Sequence, residues 1–188
     1  MLDSGTILDI GDHTVEVCDT PETTGDRYLL RIVAQPGGPG IKGDFPHIHP
    51  TLIETFQCVT GEMVARVGRT ISTVKPGERV EVLAGEVHGF LNTGTTKLVV
   101  DGEVIFPDGY RPEDDLMRFA AIYDRLRREG PVNPKTGEPP LLQMAVLAAA
   151  NTRIMRQPGV AGRLIPPLAL VGRIAGYRSE PVWDEGER

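Results

Sequence analysis

Only four histidines occur in this 188-residue chain, and three of them, His47, His49 and His88, stand with Glu54 at spacings that suit a metal ion. In an extended strand alternate side chains share a face, so His47 and His49 of "DFPHIHP" point the same way. Each neutral imidazole offers one nitrogen to a divalent cation, and Glu54 adds an anionic oxygen. Such a nitrogen-rich set suits iron, manganese, nickel or zinc better than calcium or magnesium. Three imidazoles and one carboxylate leave one or two positions open on an octahedral ion, as a catalytic centre requires.

A dication bound to one carboxylate keeps net positive charge, so it would hold an incoming enolate, phenolate, carboxylate or hydroxide and lower its pKa. Glu54 is then the candidate catalytic residue, as a proton carrier. Strand parity nominates the surrounding pocket. Phe56 shares a face with Glu54, Phe90 and Asn92 share one with His88, and Phe45 shares one with His47. Arg66 is a candidate for polar recognition, with Met63, Ala65 and Val67 competing for the same wall. Cys58 has the parity of Glu54 and Phe56 and reads as a small buried residue that could line the same cavity. His13 reads as an exposed strand residue. There is no Ser-His-Asp grouping, phosphate-cradling loop or dinucleotide fingerprint.

The wider text reads His-x-His, four residues, Glu54, six residues, Gly61, and later Gly77, Gly85, His88 and Asn92. This resembles the two motifs of the cupin superfamily, G-x5-H-x-H-x3-4-E-x6-G and G-x5-P-x-G-x2-H-x3-N, over about residues 27–106. Two fixed positions depart: Leu83 stands where the second motif has proline, and Gly40 and Gly43 straddle the first motif's opening glycine at Ile41. The resemblance implies His47, His49, Glu54 and His88 as metal ligands. It also implies a jelly-roll barrel, a double-stranded β-helix. Cupins include dioxygenases, decarboxylases, sugar isomerases, epimerases, cyclases and metal-free members, so the fold does not select a reaction. The expectation is dioxygenase-like oxidation of a small enolic or phenolic molecule with ferrous iron favoured, or manganese, nickel or zinc in its place. Redox-neutral isomerase, cyclase or lyase chemistry and non-catalytic small-molecule binding are the alternatives.

These residues sit in a region of short β-rich runs broken by glycine turns, from Ile7 to Phe106, which predicts a mainly β, antiparallel barrel over residues 1–110. Tight turns are expected at Val67-Gly68-Arg69 and Val74-Lys75-Pro76-Gly77. Beyond Pro112 the period changes to about 3.6, and Leu116, Phe119, Ala120, Tyr123 and Leu126 form an apolar stripe with acids before it and arginines at its end. A second helix is expected over 141–157 and a third around 166–175. Residues 111–178 thus read as a C-terminal helical extension, and 179–188 as a flexible tail.

A net charge of −6 argues against a nucleic-acid partner. The N-terminus lacks the pattern of a secretory signal, and the best apolar run, 141–150, is about half of what a membrane span needs. A cytoplasmic protein with two free thiols, Cys18 and Cys58, is expected. Apolar stripes beyond a small barrel must bury somewhere, which points to a homodimer, a barrel cap or, as a minor reading, a membrane-surface contact.

Overall fold

The computed structural model describes residues 1–36 and 46–179. Among them are ten strands: β1 (Ile7–Asp9), β2 (His13–Asp19), β3 (Arg27–Ala34), β4 (His47–Ile48), β5 (Ile53–Thr60), β6 (Met63–Val67), β7 (Thr70–Val74), β8 (Arg79–Val82), β9 (Val87–Leu91) and β10 (Leu98–Ile105). They form a six-stranded sheet in the order β1-β2-β3-β10-β5-β8 and a four-stranded sheet in the order β4-β9-β6-β7. All of the pairings are antiparallel. The fold is a jelly-roll, but the expected barrel is open, because no ladder joins the two sheets among the described residues.

The alternation read from the sequence is visible in the burial. Along β10 the odd-even pattern is complete, with Leu98, Val100 and Val104 buried and Gly102 facing the same side. A Cβ on Gly102 would lie 3.4 Å from the Phe56 ring, so the bare backbone there leaves room for that ring. One cluster, built on Val17, Tyr28, Leu30, Leu52, Val104 and Phe106, fills one end of the sandwich. A second, around Phe56, Cys58, Met63, Ala65 and Val100, fills the other. Both expected tight turns are present, with Gly68 at φ 59° and Gly77 at φ 87°, values that favour glycine.

Among the described residues four α-helices accompany the sheets: α1 (Pro21–Thr24), α2 (Leu116–Glu129), α3 (Leu141–Ala150) and α4 (Gly159–Ile174). Asp115 caps α2, accepting from the backbone N–H of Met117 at 2.9 Å and of Arg118 at 3.2 Å. Its other oxygen accepts from the hydroxyls of Tyr28 at 3.1 Å and Tyr110 at 2.9 Å, which ties the helix start to the β core. The inward face of α2 centres on Met117, Asp124 and Leu126. Of the expected stripe only Leu126 is fully buried, because Asp124 is drawn inward to accept from the N–H of Asp9 at 2.8 Å.

Two helix boundaries differ from expectation. The second helix stops at Ala150 rather than 157, where the Asn151 amide donates to the Leu147 carbonyl at 2.8 Å and ends the run. The third begins at Gly159 rather than near 166 and runs through Pro166 and Pro167. Both prolines are exposed, so their rings meet no packed neighbour, and the helix tolerates the two N–H groups they lack. Helices α3 and α4 pack on each other through Ala145, Val146 and Ala169. Gly172 permits this approach, since a Cβ there would lie 2.7 Å from Val146 and 2.8 Å from the Leu142 carbonyl.

Candidate metal centre

The four candidate ligands come from both sheets. His47 on β4 pairs directly with His88 on β9, so the two share a face of the small sheet. His49 follows β4, and Glu54 rises from β5 between β10 and β8 in the large sheet. One ligand atom from each lies within 4.8 Å of every other. His49, Glu54 and His88 are buried at 3%, 5% and 0% exposure, whereas His47 is half-buried and marks the open side.

Glu54 Oε2 lies 2.9 Å from His88 Nε2 and 3.5 Å from His49 Nε2. Neither Glu54 Oε2 nor His88 Nε2 makes a hydrogen bond of proper geometry, although both are buried. Buried polar atoms are almost always satisfied, so two that converge without bonding fit a shared cation. Burial alone would raise the Glu54 carboxyl, but the surrounding imidazoles of His49, His88 and His47 outweigh it and hold the group well below the usual carboxylate range. Burial pulls His88 down, while Glu54 beside it more than offsets this and leaves the imidazole raised.

The outer nitrogens are held by backbone oxygens. His49 Nδ1 lies 2.6 Å from the Ile154 carbonyl, and His88 Nδ1 lies 3.1 Å from the Glu86 carbonyl. A carbonyl only accepts, so Nδ1 carries the proton in each ring and Nε2 is left with its lone pair toward the centre. Ile154 belongs to the stretch between α3 and α4. That stretch bridges to β4, with Ile48 N–H donating to Arg156 O and Arg156 N–H to Ile48 O, each at 2.9 Å. Sequence reasoning missed this support, because no local pattern links residues 105 positions apart.

The second motif's departure also has a structural account. The Leu83 N–H donates to Glu86 Oε2 at 2.9 Å, and Glu86 N–H donates to Leu83 O at 3.1 Å, closing the turn. Proline could not make the first of these bonds. Gly85 occupies the turn at φ 85° and its N–H donates to the His49 carbonyl at 2.8 Å.

Of the nominated pocket residues, Phe56 and Phe90 lie together, with ring centroids 4.3 Å apart, and Phe90 is 5.8 Å from the His88 ring. Arg66 does not join them. It pairs with Gly89, on the face opposite to the one that Ala65 shares with Phe90 and Val67 with His88. The Asn92 side chain is spent on its own turn: its amide donates to Ala34 O and Thr96 O, and its oxygen accepts from Gly94 N–H. Cys58 is 1% exposed within the Phe56 cluster, and burial pushes its thiol up. His13 is partly buried, 2.6 Å from Asp12. Phe45 lies outside the described residues.

Residues 30–105 match the family described as the cupin domain. This stretch of the β region is therefore a cupin domain. Solved structures of similar shape include a predicted oxalate decarboxylase from Thermotoga maritima, 24% identical, with 50% of this chain and 80% of that one covered at a TM-score of 0.45. A conserved double-stranded β-helix protein from Klebsiella pneumoniae is 22% identical, covering 54% and 83% at 0.44. An RmlC-like cupin from Shewanella frigidimarina is 17% identical, covering 54% and 84% at 0.46. No curated protein matches the chain.

Proposed function

We propose that this cupin is a metal-dependent enzyme for a small organic molecule, with His47, His49, Glu54 and His88 holding one divalent transition metal per chain. The observation that carries the reading is the convergence of buried Glu54 Oε2 and His88 Nε2, 2.9 Å apart and without a hydrogen bond of proper geometry, in the cupin fold. When bound, the ion supplies a positive charge that favours an anionic oxygen of the substrate. Phe56 and Phe90 supply an apolar wall beside it, which suits an enolic or phenolic ring. Glu54 accepts or returns a proton at the substrate's oxygen, and the half-buried His47 edge admits the molecule.

Beyond the ligand set, the apolar wall brings no second acid-base pair to the cluster among the described residues, so the reading favours dioxygenase-like oxidation with ferrous iron. Redox-neutral isomerisation, cyclisation or lyase chemistry uses the same residues with Glu54 as the proton carrier. The deciding experiment loads the apo-protein anaerobically with iron, manganese, nickel or zinc and screens enols, catechols and flavonoid-like compounds with an oxygen electrode. Oxygen uptake with iron supports the oxidative reading. Turnover without oxygen, or best with zinc, selects the redox-neutral one, and binding without turnover under any metal makes the chain a binding module.

A further inference from the structure

We infer that the outward face of α4, with the cleft beside it, docks on an anionic lipid surface. The helix buries Ala169 and Gly172 against α3 and turns the opposite face to solvent. On that face Val160, Leu164, Pro167, Val171 and Ile174 recur at alternating spacings of four and three, which aligns them in one stripe along the helix. Val160 is 69% exposed, Leu164 and Val171 are each 52% exposed, and Ile174 is 80% exposed. A surface helix of a soluble domain normally puts its polar face here.

Charge identifies the occupant. The chain carries a net −6, yet from Pro139 to Ser179 it has five arginines and neither aspartate nor glutamate. Arg163 borders the stripe and Arg173 lies further round the helix on the same side, toward the cleft, and neither makes an ion pair among the described residues. With Arg156 they also line an open cleft of about 500 Å³ between α3 and α4, whose remaining wall includes Ala149 and Ile165. Guanidinium groups beside an apolar floor fit a phosphate or carboxylate headgroup attached to an acyl chain. A second copy paired symmetrically through this stripe would instead bring arginines against arginines with no acid on the same face.

The geometry suits lying on a bilayer. Sixteen helical residues span about 24 Å, less than the roughly 30 Å hydrocarbon core, and among the described residues no helix is long and apolar enough to cross a membrane. The stripe would sink into the headgroup boundary while Arg163 beside it and the long side chain of Arg173 from the cleft reach the anionic heads.

The test is sedimentation of the full chain with vesicles of phosphatidylcholine alone, or of phosphatidylcholine and phosphatidylserine in equal parts. The protein is expected to pellet with the mixed vesicles, to be released by high salt, and to stay in solution with phosphatidylcholine alone. R163Q/R173Q is expected to weaken partition roughly 25-fold, at about 5-fold per arginine. L164S/V171S is expected to abolish it. These side chains are exposed, so circular dichroism and metal content should match the parent and exclude misfolding. No pelleting with mixed vesicles, equal pelleting with phosphatidylcholine, or indifference to both variants would overturn the inference. So would a dimer in light scattering that L164S/V171S dissolves, since the face would then belong to a second copy.

Discussion

The imidazole of His49 and the backbone carbonyl of Ile154 meet at 2.6 Å, so a candidate metal ligand is oriented by a segment that begins only after α3. Outer partners of this kind set the tautomer and aim of a ligand, and losing one costs metal affinity without removing a ligand atom.

Arg156→Pro tests that dependence. It deletes the N–H that donates to Ile48 O and so loosens the bridge that seats Ile154. Metal affinity, read by competition with a chelator, is expected to fall about 10- to 100-fold. Arg156→Ala keeps the N–H and is expected to bind metal like the parent.

His49→Ala is expected to abolish stoichiometric metal while leaving the β-rich circular dichroism largely intact, measured by elemental analysis. The His47→Ala/His49→Ala protein should hold none. Full metal content in that double variant would remove the basis of the site.

Acidity should act oppositely on the apo-protein and on metal loading. Glu54 is held below its ordinary value of 4.5, so its contribution to apo stability is present above that pH and is lost as pH falls through the lower folded value. His88 is held above its ordinary 6.5, so its contribution is complete below that pH and is lost as pH rises through the higher folded value. The apo-protein should therefore resist urea best between these two values. Metal loading requires neutral imidazoles and should fall as pH drops below about 6. Parallel urea titrations and metal-binding isotherms across this range check both halves.

Asp115→Ala removes the cap of α2 and leaves the buried hydroxyl of Tyr28 without its acceptor. A loss of about 2–4 kcal/mol in urea denaturation is expected. Metal content should not change, because the bonds of the Asp115 side chain go to Tyr28, Tyr110, Met117 and Arg118 and to none of the four candidate ligands.

The β region was legible because its signals are local: alternation along β5, β9 and β10, glycine at Gly68 and Gly77, and two histidines two apart on β4. Direct pairing of His47 with His88 follows from a register that one strand alone does not reveal. Phe56 and Phe90 lie together beside His88, as their parity suggests, whereas two registers of β6 were open for Arg66 until its pairing with β9 put Ala65 and Val67 on the face of Phe90 and His88. Asn92 has the right parity and is nonetheless consumed by its turn. The start of α4 was hidden by Pro166 and Pro167, which read as a boundary although their exposed rings let the helix continue. The tail from residue 180 lies outside the described residues.

Strand β4 is only two residues long and stands at the margin of the small sheet, with β9 on one side. On its other side the Ile48–Arg156 bridge occupies the N–H and C=O that an unpaired strand would present. Open sheet margins invite pairing with extended segments of other molecules, the first step toward amyloid-like stacking. The stretch between α3 and α4 therefore acts as a self-supplied selvage. It finishes the sheet at the border nearest the histidines, and a chain that lost it would expose a sticky hem beside its own candidate ligands.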